Sequence, residues 1–178
     1  MGALFTLFHR YDKLSIISQT LSYMTKEQLA WLAGFIDGEG YLGLTYQVKA
    51  ASLSSATTPR YHPYLIVTNT NQRVIERVHT LLGIGKVYKI SRKDEKSKDV
   101  YQFKLTKAAD LVLVLEQLQP CLWVKREQCE LLLSYLRYRI TITPLTGRGR
   151  RGVTSYGEKD RDYYQRLLVL NKKGPPPL

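Results

Sequence analysis

Cysteine, histidine and acidic residues are scarce in this chain, and each scarcity closes off a class of function. There are two cysteines and three histidines in 178 residues. Cys121 and Cys129 fall on one helical stretch, while His9, His62 and His79 are scattered. Neither a disulfide framework nor a zinc site is expected from that spacing, and a reducing compartment suits it. No apolar run approaches the roughly 20 residues that span a bilayer, so no membrane association is expected. The opening MGALFTLFHRYDKL lacks the basic and apolar regions of a secretory signal. Acids number 15 against 27 Lys and Arg, a formal net charge of +12. An excess of that size favours a polyanionic partner, nucleic acid before an anionic membrane surface. No small-molecule substrate is indicated.

What is present is one domain's worth of alternating periodicities. Residues 1–24 have no clean period and read as an N-terminal arm. Thr25 and Gln28 form a capping-box pair ahead of Leu29, Leu32, Ala33 and Ile36 at helical spacing, which predicts a helix from Lys26 to Ile36 ended by Gly38 and Gly40. Leu42, Leu44, Tyr46 and Val48 then alternate with polar residues as a half-buried strand does. The small, polar stretch 50–59 reads as a hairpin loop before a second strand, Arg60 to Thr68. Asn69-Thr70-Asn71 offers an N-cap for a helix stopped by Gly83 and Gly85. Strands at Lys86 to Arg92 and Val100 to Leu105 follow, then helices at Lys107 to Leu118 and Val124 to Arg137, separated by Pro120. The order α-β-β-α-β-β-α-α is that of an α+β domain over residues 25–140. Residues 141–178 form a basic C-terminal extension with a last helix at Lys159 to Leu170.

The informative segment is Leu32-Ala33-Gly34-Phe35-Ile36-Asp37-Gly38-Glu39-Gly40. Ala33 and Gly34 leave the helix nearly bare on one side, which allows another helix backbone to approach closely. With a second copy of the chain as partner, two-fold symmetry brings two Glu39 carboxylates together, and like charges that close call for a cation. Mg²⁺ takes a few carboxylate and carbonyl oxygens, and acidic metal sites hydrolyse phosphodiesters in line. From spacing alone, Asp37 and Glu39 could equally be solvated acids in a turn.

The nine-residue string closely resembles the signature of the LAGLIDADG homing endonucleases, and the element order to about residue 138 resembles the core of the single-motif, homodimeric branch. That resemblance implies the LAGLIDADG fold with a saddle-shaped antiparallel sheet. It also implies a site-specific endonuclease that cuts both strands of a long, near-palindromic duplex with Mg²⁺ and leaves 3′ overhangs. Ca²⁺ is expected to support binding without efficient cleavage. The alternative within the family is an RNA-binding intron maturase without DNA cleavage. Residue by residue, the resemblance implies a catalytic metal ligand at Glu39, where the family more often has Asp, and a metal-facing carbonyl at Gly38. Leu32, Ala33, Gly34, Ile36 and Asp37 would line the dimer interface. Lys125, after Leu118-Gln119-Pro120, would be the active-site cation, and Asn69 and Arg73 would hold water. Asn69 reads equally well as an N-cap. An organellar setting is also implied, chloroplast slightly ahead of mitochondrion.

A β-surface can lie in the major groove with alternate side chains on base edges. The expected DNA-facing set is Tyr41, Thr45, Gln47 and Lys49 on the first strand, and Arg60, His62, Tyr64 and Ile66 on the second. Lys86, Tyr88, Ile90 and Arg92 belong to it from the third strand, Gln102 and Lys104 from the fourth. Glycine-spaced Arg148, Arg150 and Arg151 suit phosphate contact. His79 reads as exposed, and Trp31 and Trp123 as core or interface.

Overall fold

The computed structural model describes residues 24–48, 59–91, 98–142 and 156–172. Helix α1 (Lys26–Glu39) starts as its capping box dictates: Gln28 N donates to Thr25 Oγ1 at 3.3 Å and Thr25 N to Gln28 Oε1 at 3.0 Å. It runs three residues past the expected stop at Ile36. Gly38 stays helical, and the break comes at Gly40, whose N–H donates to Ile36 O as the backbone turns extended. A Cβ on Gly40 would lie 2.5 Å from Ile36 O and 2.8 Å from Ile36 Cγ2. Only glycine lets strand β1 (Gly40–Val48) leave the helix without a loop.

Strand β2 (Pro59–Asn69) pairs antiparallel with β1, Gly40 opposite Val67 and Gln47 opposite Arg60. Helix α2 (Gln72–Leu82) follows, capped by Asn71 rather than Asn69, with Arg73 N donating to Asn71 Oδ1 at 3.1 Å. Strands β3 (Lys86–Ile90) and β4 (Val100–Leu105) complete one antiparallel sheet in the order β1-β2-β4-β3. Helix α3 (Ala108–Leu118), a 3₁₀ turn at Gln119–Cys121 containing Pro120, helix α4 (Arg126–Ile142) and helix α5 (Glu158–Leu170) finish the described chain.

The inner face of the sheet supplies Leu42, Leu44, Tyr61, Leu65, Val67, Phe103 and Leu105 to a single core cluster. All five helices contribute to that cluster, so the opposite face of the sheet, apart from Gly43 and Val100, is left half-buried to exposed. His79 is half-buried, its ring 6.3 Å from Phe103, rather than exposed. Gly83 takes a left-handed φ of 65° to cap α2, and Gly85 has φ of 93°. A Cβ on Gly85 would lie 2.5 Å from Phe103 Cε2, in a ring with no exposed surface. Left-handed strain and overpacking then add, so Gly85→Ala is expected to cost about 2–4 kcal/mol of folding stability, read by urea denaturation.

Helix α5 covers the free edge of β1, where an unpaired strand would otherwise invite pairing with another chain. Asn171 Nδ2 donates to Leu42 O at 2.8 Å, and Gln128 Nε2 to Leu170 O at 3.0 Å. Asp160, fully buried, takes Arg139 Nη1 at 3.3 Å and the Gly157 N–H at 2.9 Å.

Candidate active site and nucleic-acid interface

A helix leaves its last carbonyls without helical partners and its C-terminal end negative. At the end of α1 those carbonyls belong to Asp37, Gly38 and Glu39, and α1 has no basic residue of its own in that turn. Lys125 supplies the cation from elsewhere: its Nζ donates to Asp37 O. The Asp37 carboxylate fixes the same loop, accepting Trp123 N at 2.8 Å and Lys125 N at 2.9 Å. Arg126 braces the loop from behind, its Nε donating to Leu122 O at 3.0 Å. Lys125 therefore lies just before α4, with its ammonium at the end of α1 where the helix field favours it, and not against the dipole of its own helix as its position suggests. Partial burial lowers its pKa, while the Asp37 and Glu39 carboxylates oppose that shift.

Glu39 is exposed and has no hydrogen bond or ion pair among the described residues. A free carboxylate at a negative helix end offers hard oxygen donors, which fit Mg²⁺ or Ca²⁺. Among the described residues no group of three or more His, Cys, Asp or Glu could hold a metal.

Asn69 ends β2, just past the Gly40–Val67 pair that brings β2 back to the end of α1. Its Oδ1 accepts Asn71 N at 2.8 Å, so the cap belongs to Asn71 and the Asn69 amide N–H groups remain for a ligand. Arg73, exposed in the first turn of α2, lines an open groove of about 720 Å³ with Lys98 and Tyr101.

The interface reading of α1 needs correction at three positions. Leu32, Ala33 and Ile36 are fully buried in the chain's own core, so their side chains cannot meet a partner. The exposed stripe is Ala30, Gly34 and Gly38 at four-residue spacing, and a Cβ on either glycine would meet nothing within 4 Å. Trp31 flanks it, stacked on Phe35 at 5.4 Å with Arg77 Cζ 4.6 Å above its ring. Trp123 and Val124, tied to α1 through Asp37, are 86% and 71% exposed. Trp123 is therefore outside the core, and the sequence gives no sign of it beyond an apolar pair next to Lys125.

The outer face of the sheet brings together Tyr41, Thr45, Gln47, Arg60, His62, Tyr64, Ile66, Lys86, Tyr88, Ile90, Gln102 and Lys104, one parity of each strand. Lys49, Arg92, Arg148, Arg150 and Arg151 lie outside the described residues. Tyr41 stacks on Tyr64 at 5.7 Å across Gly43, where a Cβ would lie 3.0 Å from the Tyr64 hydroxyl. Burial, then the neighbouring Tyr41, pushes the Tyr64 phenol well above its ordinary range. Lys86 and Lys104 are direct cross-strand partners; like charges so placed repel and favour an anion over them. Thr68, absent from the expected set, shares this face. Its alternation with Ile66 was the available signal.

A four-stranded antiparallel sheet backed by helices, with the nine-residue signature running from helix into first strand, gives the chain the fold of the LAGLIDADG homing endonucleases, with one copy of the signature. Among characterised proteins it is similar to DNA endonuclease I-CvuI of Chlorella vulgaris, 27% identical over 129 residues, which is 67% of this chain and 70% of the relative. Among solved structures, I-CvuI in complex with an I-CreI target superposes with a TM-score of 0.53 at 21% identity, covering 80% of this chain and 95% of that one. The archaeal intron-encoded homing endonuclease I-Vdi141I, complexed with DNA, gives 0.61 at 18% identity, covering 84% and 87%. No protein-family profile matches the chain.

Proposed function

We propose that this protein is a site-specific, metal-dependent homing endonuclease. Acting as a homodimer, it hydrolyses both strands of a long, near-palindromic DNA target and leaves 3′ overhangs. The observation that carries this reading is the unpartnered Glu39 carboxylate at the same helix end to which Asp37 binds Lys125. Glu39 and the Gly38 carbonyl would hold Mg²⁺, which lowers the pKa of bound water and offsets charge on the phosphoryl oxygens. Lys125 presents its ammonium to the developing phosphorane charge, in a partly desolvated position where such a contact is strong. Asn69, its oxygen occupied, offers N–H donors to phosphate or water, and Arg73 a guanidinium. The outer sheet face lies in the major groove, and Gly34 of each copy lets the two α1 helices meet. The maturase alternative is disfavoured because both the acid and the lysine of the chemistry are present. We also place the protein in an organelle, on the resemblance and on the Chlorella vulgaris source of the relative.

The test is incubation of the purified protein with a randomised duplex library and Mg²⁺, followed by sequencing of cut ends. Recurrent staggered cuts at one near-palindromic site are expected. Tight binding of structured intron RNA without any DNA cut would support the maturase instead. With Ca²⁺ in place of Mg²⁺, gel shift of the selected site should persist while cutting falls away; undiminished cutting in Ca²⁺ would contradict the proposed coordination. Binding should also weaken with salt, log K falling against log salt by about 0.9 per phosphate neutralised. A flat salt response would remove the phosphate-contact reading.

A further inference from the structure

Beyond the general placement of the sheet on DNA, one row of its outer face has a defined chemistry. Thr68, Gln102 and Tyr88 are direct partners across β2, β4 and β3. The row lies one step beyond the Val67–Phe103 pair, at the end of the sheet where α1 delivers Glu39. Gln102 Nε2 donates to Thr68 Oγ1 at 3.4 Å, and its side chain makes no other hydrogen bond among the described residues. A primary amide has two N–H donors and one carbonyl acceptor. Donation to Thr68 through the N–H anti to the carbonyl leaves the syn N–H beside the C=O on one edge of the amide.

We infer that Gln102, oriented by Thr68, reads an adenine in the major groove of each half-site, close to the bond cut by the Glu39 site. Adenine presents an acceptor, N7, next to a donor, N6–H, and a glutamine amide matches that pair in bidentate fashion. Guanine offers two acceptors there, cytosine a donor, and thymine an acceptor with a methyl group, so none satisfies both free groups. Thr68 acts as a positioning residue: it contacts Gln102 and sets which amide edge faces the base. This inference rests on the endonuclease reading and adds to it one specificity-determining pair.

The experiment takes the full chain, the site selected from the library, and single-base variants of that site, with binding measured in Ca²⁺ and cutting in Mg²⁺. For the wild type, replacing one adenine per half-site should weaken binding about 10-fold or more. Gln102→Ala should make all four bases equivalent at that position while leaving preferences elsewhere intact. Thr68→Val should blunt the same preference, and Thr68→Ser should keep it. Gln102→Arg should shift the preference to guanine, which keeps the assignment testable even if the alanine variant binds weakly everywhere. If wild type selects and cuts a site but the Gln102 variants leave every base preference unchanged, or alter all positions alike, the inference is wrong and the endonuclease reading stands. If no site is selected or cut, it is the endonuclease reading that fails.

Discussion

Glu39→Gln is expected to lower the rate of DNA cleavage by roughly 10³-fold or more while leaving target affinity within a few-fold of wild type. The substitution keeps size and hydrogen-bonding shape but removes the negative charge that a divalent cation requires. Its structural effects should be slight, because Glu39 is exposed and bonds to no other described residue. Retained binding follows from the proposed separation of roles, with base and phosphate contacts on the outer sheet face and metal binding at the end of α1. Single-turnover cutting with Mg²⁺ beside a gel shift in Ca²⁺ measures both quantities on one preparation. Cutting at the wild-type rate would remove Glu39 from the site.

Gly34→Leu should change monomer stability and dimer affinity in opposite directions. Within the chain a side chain at 34 meets nothing within 4 Å, and replacing a mid-helix glycine gains roughly 0.5–1 kcal/mol of helix propensity. In the proposed dimer the same side chain would enter a contact that bare backbone allows, and overpacking on both sides of the two-fold costs about 2–6 kcal/mol per dimer. That corresponds to roughly 30-fold or more in Kd. Sedimentation should show monomer against the dimer proposed for the wild type, with an equal or higher midpoint in urea at matched monomer state. Trp123→Glu should act in the same direction, because an 86% exposed tryptophan joined to α1 through Asp37 offers apolar surface for a partner copy to bury. A Gly34→Leu protein that remains dimeric would move the interface away from α1.

How legible these features were in the sequence depended on how local their causes are. The capping box at Thr25 and Gln28, the strand Val100–Leu105 and the glycines closing α2 rest on neighbours within a few residues, and each lies where the pattern puts it. The outer sheet face was readable because strand parity is binary. The rotation of α1 was harder: Ala33 is small and adjoins Gly34, yet it is buried in the core, and Ala30 completes the exposed stripe instead. Helical face assignment turns on 100° per residue, and a signature rich in small and apolar residues marks two faces almost equally. The extension of α1 through Gly38 depends on Gly40 taking the break, a steric fact involving Ile36. The resemblance singled out Lys125, but nothing in the sequence shows what holds it, because its partner Asp37 is 88 residues earlier.

That distance bears on when the protein becomes able to harm the DNA it meets. Glu39 is positioned by a local helix, whereas Lys125 reaches the same helix end only when the loop before α4 is docked on Asp37. A nascent or partly unfolded chain, however strongly its positive charge attracts DNA, carries the acid without its lysine. On the proposed reading, cutting therefore belongs to the finished domain, and protection against indiscriminate nicking follows from the chain's topology.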